Sequence, residues 1–241
     1  MRPIDKGPWP VQKRSSNTKL VFNDWKKAIP HLKQKTGEYC HFCEMAVNHQ
    51  IAIEHIKSRD DYPKLKNNWA NFLLGCSHCN SNKGTKRIIS PYSKVYFWPH
   101  IHNTMLAFEV PLHGPDVGKV QPHKNLSNNT QLQNRAKRTI SLYELDKTVK
   151  SDGSSDRRFI LRMKAIQMAT TRYTEYAQGK TTIQAIVDMA ELSGFFTVWY
   201  TVFYNIPAVK NALKNAPCFH LNNSWFDASL NPIPRTTNDF I

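Results

Sequence analysis

Nothing in this chain supplies the roughly 18 uninterrupted apolar residues that a membrane span needs, which excludes a helical membrane protein. Its opening, Met1-Arg2-Pro3-Ile4-Asp5-Lys6, lacks the apolar run of a secretion signal. Acidic residues are scarce, 18 Asp and Glu against 33 Lys and Arg, for a formal charge of +15. Cysteines are few and odd in number, five in 241 residues, which argues against a disulfide framework. These absences predict a soluble, cytoplasmic, basic protein. At 40% hydrophobic and 11% aromatic the chain is too apolar for a disordered polycation, and its length allows a substantial core. The excess charge is shared: residues 1–90 carry 16 basic against 7 acidic side chains, residues 91–241 carry 17 against 11. A folded protein this basic favours polyanionic partners, because neutralising phosphates releases condensed counterions.

What the chain does have is a pair of C-x2-C motifs. Cys40-His41-Phe42-Cys43 and Cys76-Ser77-His78-Cys79 are separated by 32 residues. Two residues between thiolates let one tight turn present both sulfurs to one tetrahedral ion, so Cys40, Cys43, Cys76 and Cys79 predict a structural Zn2+ site. His41 and His78 offer a shell of three cysteines and one histidine, but are better read as solvent-facing turn residues. Cys218, flanked by Pro217 and Phe219, reads as an ordinary buried thiol. The 32 intervening residues exceed the usual ribbon spacing, and the function is sought there.

The rest of the chain divides as follows. Residues 1–35 read as a basic, proline-bearing arm and a short helix around Phe22–Lys35, bent or broken at Pro30; residues 36–90 as the zinc-framed segment. Residues 91–126 read as a β-hairpin, with strands Lys94–Trp98 and Thr104–Val110, followed by a linker. Residues 127–241 read as helical: Leu132, Ala136, Ile140 and Tyr143 recur at helical spacing, as do Phe159, Met163, Ile166, Tyr173 and Ala177. Thr181–Asn205 reads as one buried or docking helix. Its Phe195, Phe196, Trp199, Val202 and Phe203 wrap too far round to face one core, so part of them should meet another helix or another chain. Pro207 suits the first turn of a last helix ending near Asn215. Gly179-Lys180-Thr181-Thr182 imitates the end of a phosphate-binding loop, but that pattern needs glycine where Thr174 stands, so ATP binding by this chain is not expected.

Between the knuckles, Ile51-Ala52-Ile53-Glu54-His55-Ile56-Lys57 reads as a strand delivering Glu54 and His55 at its end. Trp69-Ala70-Asn71-Phe72-Leu73-Leu74-Gly75 reads as a second strand. Cys76 to Gly84 reads as a knuckle turning into a short helix, stopped by Gly84. The order C-x2-C, Glu-His, Asn, C-x2-C-Asn-x2-Lys resembles an HNH endonuclease with the ββα-metal fold, in the variant whose last position is Asn. The resemblance covers about residues 39–84. It implies an α+β protein with a ββα-metal nuclease core framed by zinc. It also implies Glu54 and Asn80 as ligands of a catalytic Mg2+ or Mn2+, His55 as general base, Asn71 as the residue pinning the loop between strands, and Lys83 as the basic residue near the phosphate. Ser58 stands where many relatives have proline.

That chemistry is also arguable from the side chains alone. Phosphodiester hydrolysis needs an activated water and stabilised oxygen charge. A neutral imidazole accepts a proton near neutral pH, and a hard cation takes carboxylate and amide oxygens. Met1-Arg2-Pro3, Asn103-Thr104-Met105-Leu106-Ala107-Phe108 and Ser155-Asp156-Arg157-Arg158 resemble the HNH subunits of bacterial antiphage systems, of the PtuB type found in Septu and retron systems. This wider resemblance implies a defence nuclease acting on DNA beside a separate SMC-like ATPase, with the helical region as docking platform. Arg157 and Arg158 also read as ordinary solvated first-turn residues. An RNA-cutting effector is the alternative within enzymes; a zinc-ribbon adapter that holds nucleic acid without cutting is the rival outside them.

Overall fold

The computed structural model describes residues 1–12, 15–47, 51–149, 152–235 and 241, with Ser15 and Ser16 described in backbone only. It is a mixed α+β fold of short two-stranded sheets and longer helices. The hairpin β1 (Val11–Gln12) and β2 (Ser15–Lys19) comes first. Helix α1 (Ile29–Thr36) follows a 3-10 turn at Trp25–Ala28. Pro30 starts α1 and does not break it: in the first turn the missing N–H has no intrahelical partner to lose.

The next sheet pairs β3 (Ile51–His55) antiparallel with β4 (Phe72–Cys76), Glu54 opposite Leu73 and His55 opposite Phe72. β4 runs straight into α2 (Ser77–Lys83), whose first turn is capped by Cys76 Sγ accepting from Cys79 N at 3.4 Å, and which Gly84 ends at φ +49°. Side chains alternate along a strand. Ile53, Phe72 and Leu74 therefore pack away from α2, against Phe22, Ala28 and Leu32 at the start of the chain.

The hairpin expected at Lys94–Val110 is not what forms. Tyr92–Val95 is a one-turn helix, α3. Phe97 and Trp98 are core residues, and Phe97 N donates to Thr139 Oγ1 at 2.9 Å, so this backbone is satisfied by a helix and not by a strand. The ladder that does form joins β5 (Phe108–Glu109), inside the expected strand Thr104–Val110, to β6 (Gln121–Pro122), in the stretch read as linker. Helices α4 (Thr130–Tyr143) and α5 (Arg157–Ala177) follow the expected periodicity, capped by Asn129 and Asp156.

Thr181–Asn205 is two helices, α6 (Ile183–Ser193) and α7 (Phe196–Val202). Gly194 and Phe195, at φ +71° and +56°, turn the chain between them. The break answers the circumference problem within this chain. Phe195 joins the core that contains the knuckles, while Phe196, Trp199 and Phe203 join a second core with α5, α6 and α8 (Pro207–Asn215). The arm is docked at its start: Met1, Arg2 and Ile4 are buried, Arg2 donating to Phe219 O at 2.5 Å and Thr36 O at 2.8 Å. Among the described residues no helix is long and apolar enough to cross a membrane.

Candidate metal centre and adjoining cleft

The four knuckle cysteines converge. Their sulfurs all lie within 4.8 Å of one another, and Cys43 Sγ and Cys76 Sγ are 3.7 Å apart. A Zn–S bond of ~2.3 Å makes the edge of a tetrahedral four-sulfur shell about 3.8 Å, whereas a disulfide needs about 2.05 Å. All four thiols are buried, so the shell is closed. Burial and the neighbouring sulfurs push the Cys43 and Cys79 thiols well above their ordinary pKa. A divalent cation is what permits four buried sulfurs this close to one another to ionise together.

His41 completes this centre without joining it. Its Nδ1 accepts from Leu74 N at 3.0 Å, which leaves Nε2–H to donate to Thr36 Oγ1 at 2.8 Å. Burial holds the ring neutral, its pKa pulled down to about 3. The expectation of a solvent-facing His41 is therefore corrected: it is a buried tie between knuckle, α1 and β4, and both ring nitrogens are engaged. His78 is half-buried at the start of α2. Cys218 is only half-buried, on the wall of a separate cavity beside Tyr39 and Glu191.

The second set of expected residues surrounds a cavity of about 480 Å³ whose wall includes Glu54, His55, Ser58, Asn80 and Lys83. Gly75 brings two of them together: a Cβ there would lie 3.2 Å from Glu54 Cβ and 3.9 Å from Asn80 Cβ. The bare strand position leaves room for the carboxylate beside the amide. Glu54 is 1% exposed. Its Oε1 meets Lys83 Nζ at 2.7 Å, while its buried Oε2 has no hydrogen-bond partner among the described residues. Burial pushes the carboxyl up to about 7 against the pull of Lys83.

Lys83 is turned inward. It is 2% exposed, and its ammonium donates to His55 O at 2.7 Å as well as pairing with Glu54. Other cations line the wall: Lys26 and Arg59 are on it, and Arg59 and Lys66 each lie 4.9 Å from the ring centre of Trp25, which lines it too. Sequence reading passed over Trp25 and Arg59, which stand outside the motif.

His55 packs edge-to-face on Trp25 and Phe72. Its Nε2 lies 2.9 Å from Lys66 O. A carbonyl only accepts, so Nε2 carries the proton and Nδ1 keeps its lone pair. Burial lowers the imidazole pKa against the opposing pull of that carbonyl, so the ring is neutral at physiological pH. Asn71 does the work of a clamp on the intervening loop: Oδ1 accepts from Lys57 N at 2.8 Å, and Nδ2 donates to Lys57 O at 2.9 Å and Leu65 O at 3.2 Å. Ser58 Oγ accepts from Asp60 N at 3.2 Å, so a side-chain turn holds the bend.

A cation fits the donor set on one observation in particular: the orphaned, buried Glu54 Oε2, which otherwise forfeits its hydration. Carboxylate and amide oxygens are the donors a hard ion prefers. No protein-family model matches this chain, and no curated protein does.

Proposed function

We propose that this chain is a metal-dependent phosphodiesterase of the HNH endonuclease type, cutting DNA. The observation that carries the reading is the buried Glu54 carboxylate oxygen without a partner, on the same cavity wall as His55 and Asn80. Glu54 and Asn80 would hold Mg2+ or Mn2+, which when bound stabilises negative charge on phosphoryl and leaving oxygens. His55 Nδ1, with its lone pair fixed by the Nε2–H bond to Lys66, accepts a proton from the attacking water as the P–O bond to the leaving oxygen breaks. Asn71 keeps that loop, and hence the carbonyl of Lys66, in register with β4. Arg59 and Lys66 attract the phosphate backbone to the opening. Lys83 supports Glu54 and the His55 backbone. A partner SMC-like ATPase and a role in antiphage defence rest on the wider sequence resemblance, as does a choice of DNA over RNA.

A non-catalytic, nucleic-acid-holding role is favoured by the Lys83–Glu54 ion pair, since a carboxylate matched by an ammonium needs no other cation. Cleavage separates the two. Plasmid, linear duplex DNA and RNA are incubated with Mg2+ or Mn2+, with the chain alone and with any SMC-like ATPase encoded beside it. Wild type cuts; His55→Ala loses roughly 10²–10⁴-fold in rate while still binding cation and DNA. Asn80→Ala loses cation affinity, and excess Mn2+ restores part of its rate. A His55→Ala protein that cuts at the wild-type rate overturns the assignment. A wild type that binds nucleic acid and never cuts gives the lead to the adapter.

A further inference from the structure

The 3-10 turn Trp25–Ala28 lies outside the sequence motif, yet its tryptophan reaches into the cleft. Asp24 caps the turn, its Oδ1 accepting from Lys26 N at 2.9 Å. At the other end Ala28 is buried in the core that holds Ile53 of β3 and Phe72 of β4. Both ends being held, the half-buried ring of Trp25 keeps its place on the cavity wall that also includes Glu54, His55 and Asn80.

Three groups gather on that one ring. The imidazole of His55 meets it edge-to-face, the ring centres 5.7 Å apart. The Arg59 guanidinium and the Lys66 ammonium each lie 4.9 Å from its centre, within the range in which an indole attracts a cation. Arg59 also approaches Asp60 at 4.0 Å, but both side chains are at least half exposed, so water screens that pair. Lys66 is used twice: its ammonium sits over the indole, and its carbonyl accepts from His55 Nε2 at 2.9 Å. Without the indole, two long and flexible cations lose a common anchor, and His55 keeps only Phe72 as a ring neighbour.

We propose that Trp25 is a positioning residue for both halves of the cleft: its indole holds Arg59 and Lys66 for the phosphate backbone and fixes the imidazole of His55 for the attacking water. One side chain then couples the seating of the substrate to the orientation of the base. The proposal rests on the phosphodiesterase reading of the cleft and adds to it a residue that acts through others.

The test is a pair of double-mutant cycles on the full chain. In the first, the affinity for a short DNA duplex is measured by anisotropy without added Mg2+ or Mn2+. Arg59→Ala should weaken binding several-fold in the wild type and much less after Trp25→Leu, because the guanidinium has already lost its anchor. In the second, single-turnover cleavage is followed with Mn2+. Trp25→Leu should slow the wild type by about 10–100-fold, yet change the residual rate of His55→Ala by less than about twofold. Trp25→Phe, which keeps a ring face and an edge, should recover most of both losses. A merely structural tryptophan gives additive effects, so additivity in either cycle overturns the proposal, as does a Trp25→Phe protein no better than Trp25→Leu. If wild type binds DNA and never cuts, the phosphodiesterase reading falls and the hold on His55 with it, while the affinity cycle still decides the hold on Arg59. Should Trp25→Leu not fold, NMR of the wild type decides: the indole ring current should shift the side-chain methylene protons of Arg59 and Lys66 upfield, and ordinary positions for both overturn the proposal.

Discussion

At the scale of single residues, a motif names a position but not the direction its side chain takes. Glu54, His55 and Asn80 share one cavity wall although alternation sends Glu54 toward α2 and His55 to the other face: the bare Gly75 makes room for Glu54 beside Asn80, and His55 reaches the cavity from the last position of β3. Lys83 comes from the same motif, yet its four-carbon stem lets the ammonium fold back onto Glu54 and the His55 carbonyl. This separates two lysine and arginine roles that sequence merges. If the cavity takes DNA as proposed, Arg59→Ala removes a cation from its wall, so DNA affinity should fall several-fold and the slope of log affinity on log salt should shrink by about one. Lys83→Met removes an internal tie, so that slope should stay as in wild type while the fold loses about 1–3 kcal/mol. Fluorescence anisotropy across a salt series and urea unfolding read the two quantities. A reduced salt slope in Lys83→Met would put its ammonium back on the phosphate.

At the scale of elements, the legible parts are those with local punctuation. Helix α8 begins at Pro207 and ends at Asn215, α2 stops at Gly84, and α4 and α5 follow their apolar spacing. The sheet that carries Glu54 and His55 was legible for a related reason, since alternation and zinc spacing agree there. What could not be read was decided by distant partners. Phe97 and Trp98 look like strand residues, but Thr139 Oγ1 accepts from Phe97 N and His102 Nδ1 from Trp98 N. Arg158 looks like a solvated first-turn residue, but Tyr143, Glu144 and Cys79 bury it. The break in Thr181–Asn205 has the same origin: Phe195 N donates to Glu44 O at 2.9 Å, and Glu44 accepts from Thr197 N at the start of α7. Gly194 makes this approach feasible. A Cβ there would lie 2.6 Å from Glu44 O and 2.7 Å from Ala46 N, both backbone atoms, at a left-handed φ. Gly194→Ala should therefore cost about 2–4 kcal/mol, strain and overpacking together, in urea unfolding. A cost under about 1 kcal/mol would mean the knuckle and the α6–α7 turn are not rigidly joined.

At the scale of the whole molecule, the charge excess reaches inward as well as outward, and this sets a pH dependence. His100 follows Pro99, whose carbonyl accepts from Ile4 N at 2.8 Å and from Arg235 at 3.2 Å. Its Nδ1 is buried with no hydrogen-bond partner, and the charged or titratable groups acting on it are Lys6, His102, His41 and Arg235. Burial first, then those positive or protonatable neighbours, holds its pKa well below the ordinary histidine value. In the unfolded chain the same ring titrates near ~6.5. Below that pH the unfolded state takes up a proton that the folded state refuses, so stability rises with pH up to about 6.5 and is complete above it. As pH falls further, the loss approaches about 1.4 kcal/mol per pH unit for this one group. His100→Gln cannot protonate, so its stability should fall less steeply than wild type by about that amount per unit between pH 5.5 and 4.5, the two proteins sharing any acid release of zinc. Urea unfolding at closely spaced pH values measures both slopes. Equal slopes would show that His100 is protonated in the folded protein, and that the cations around it leave room for one more charge.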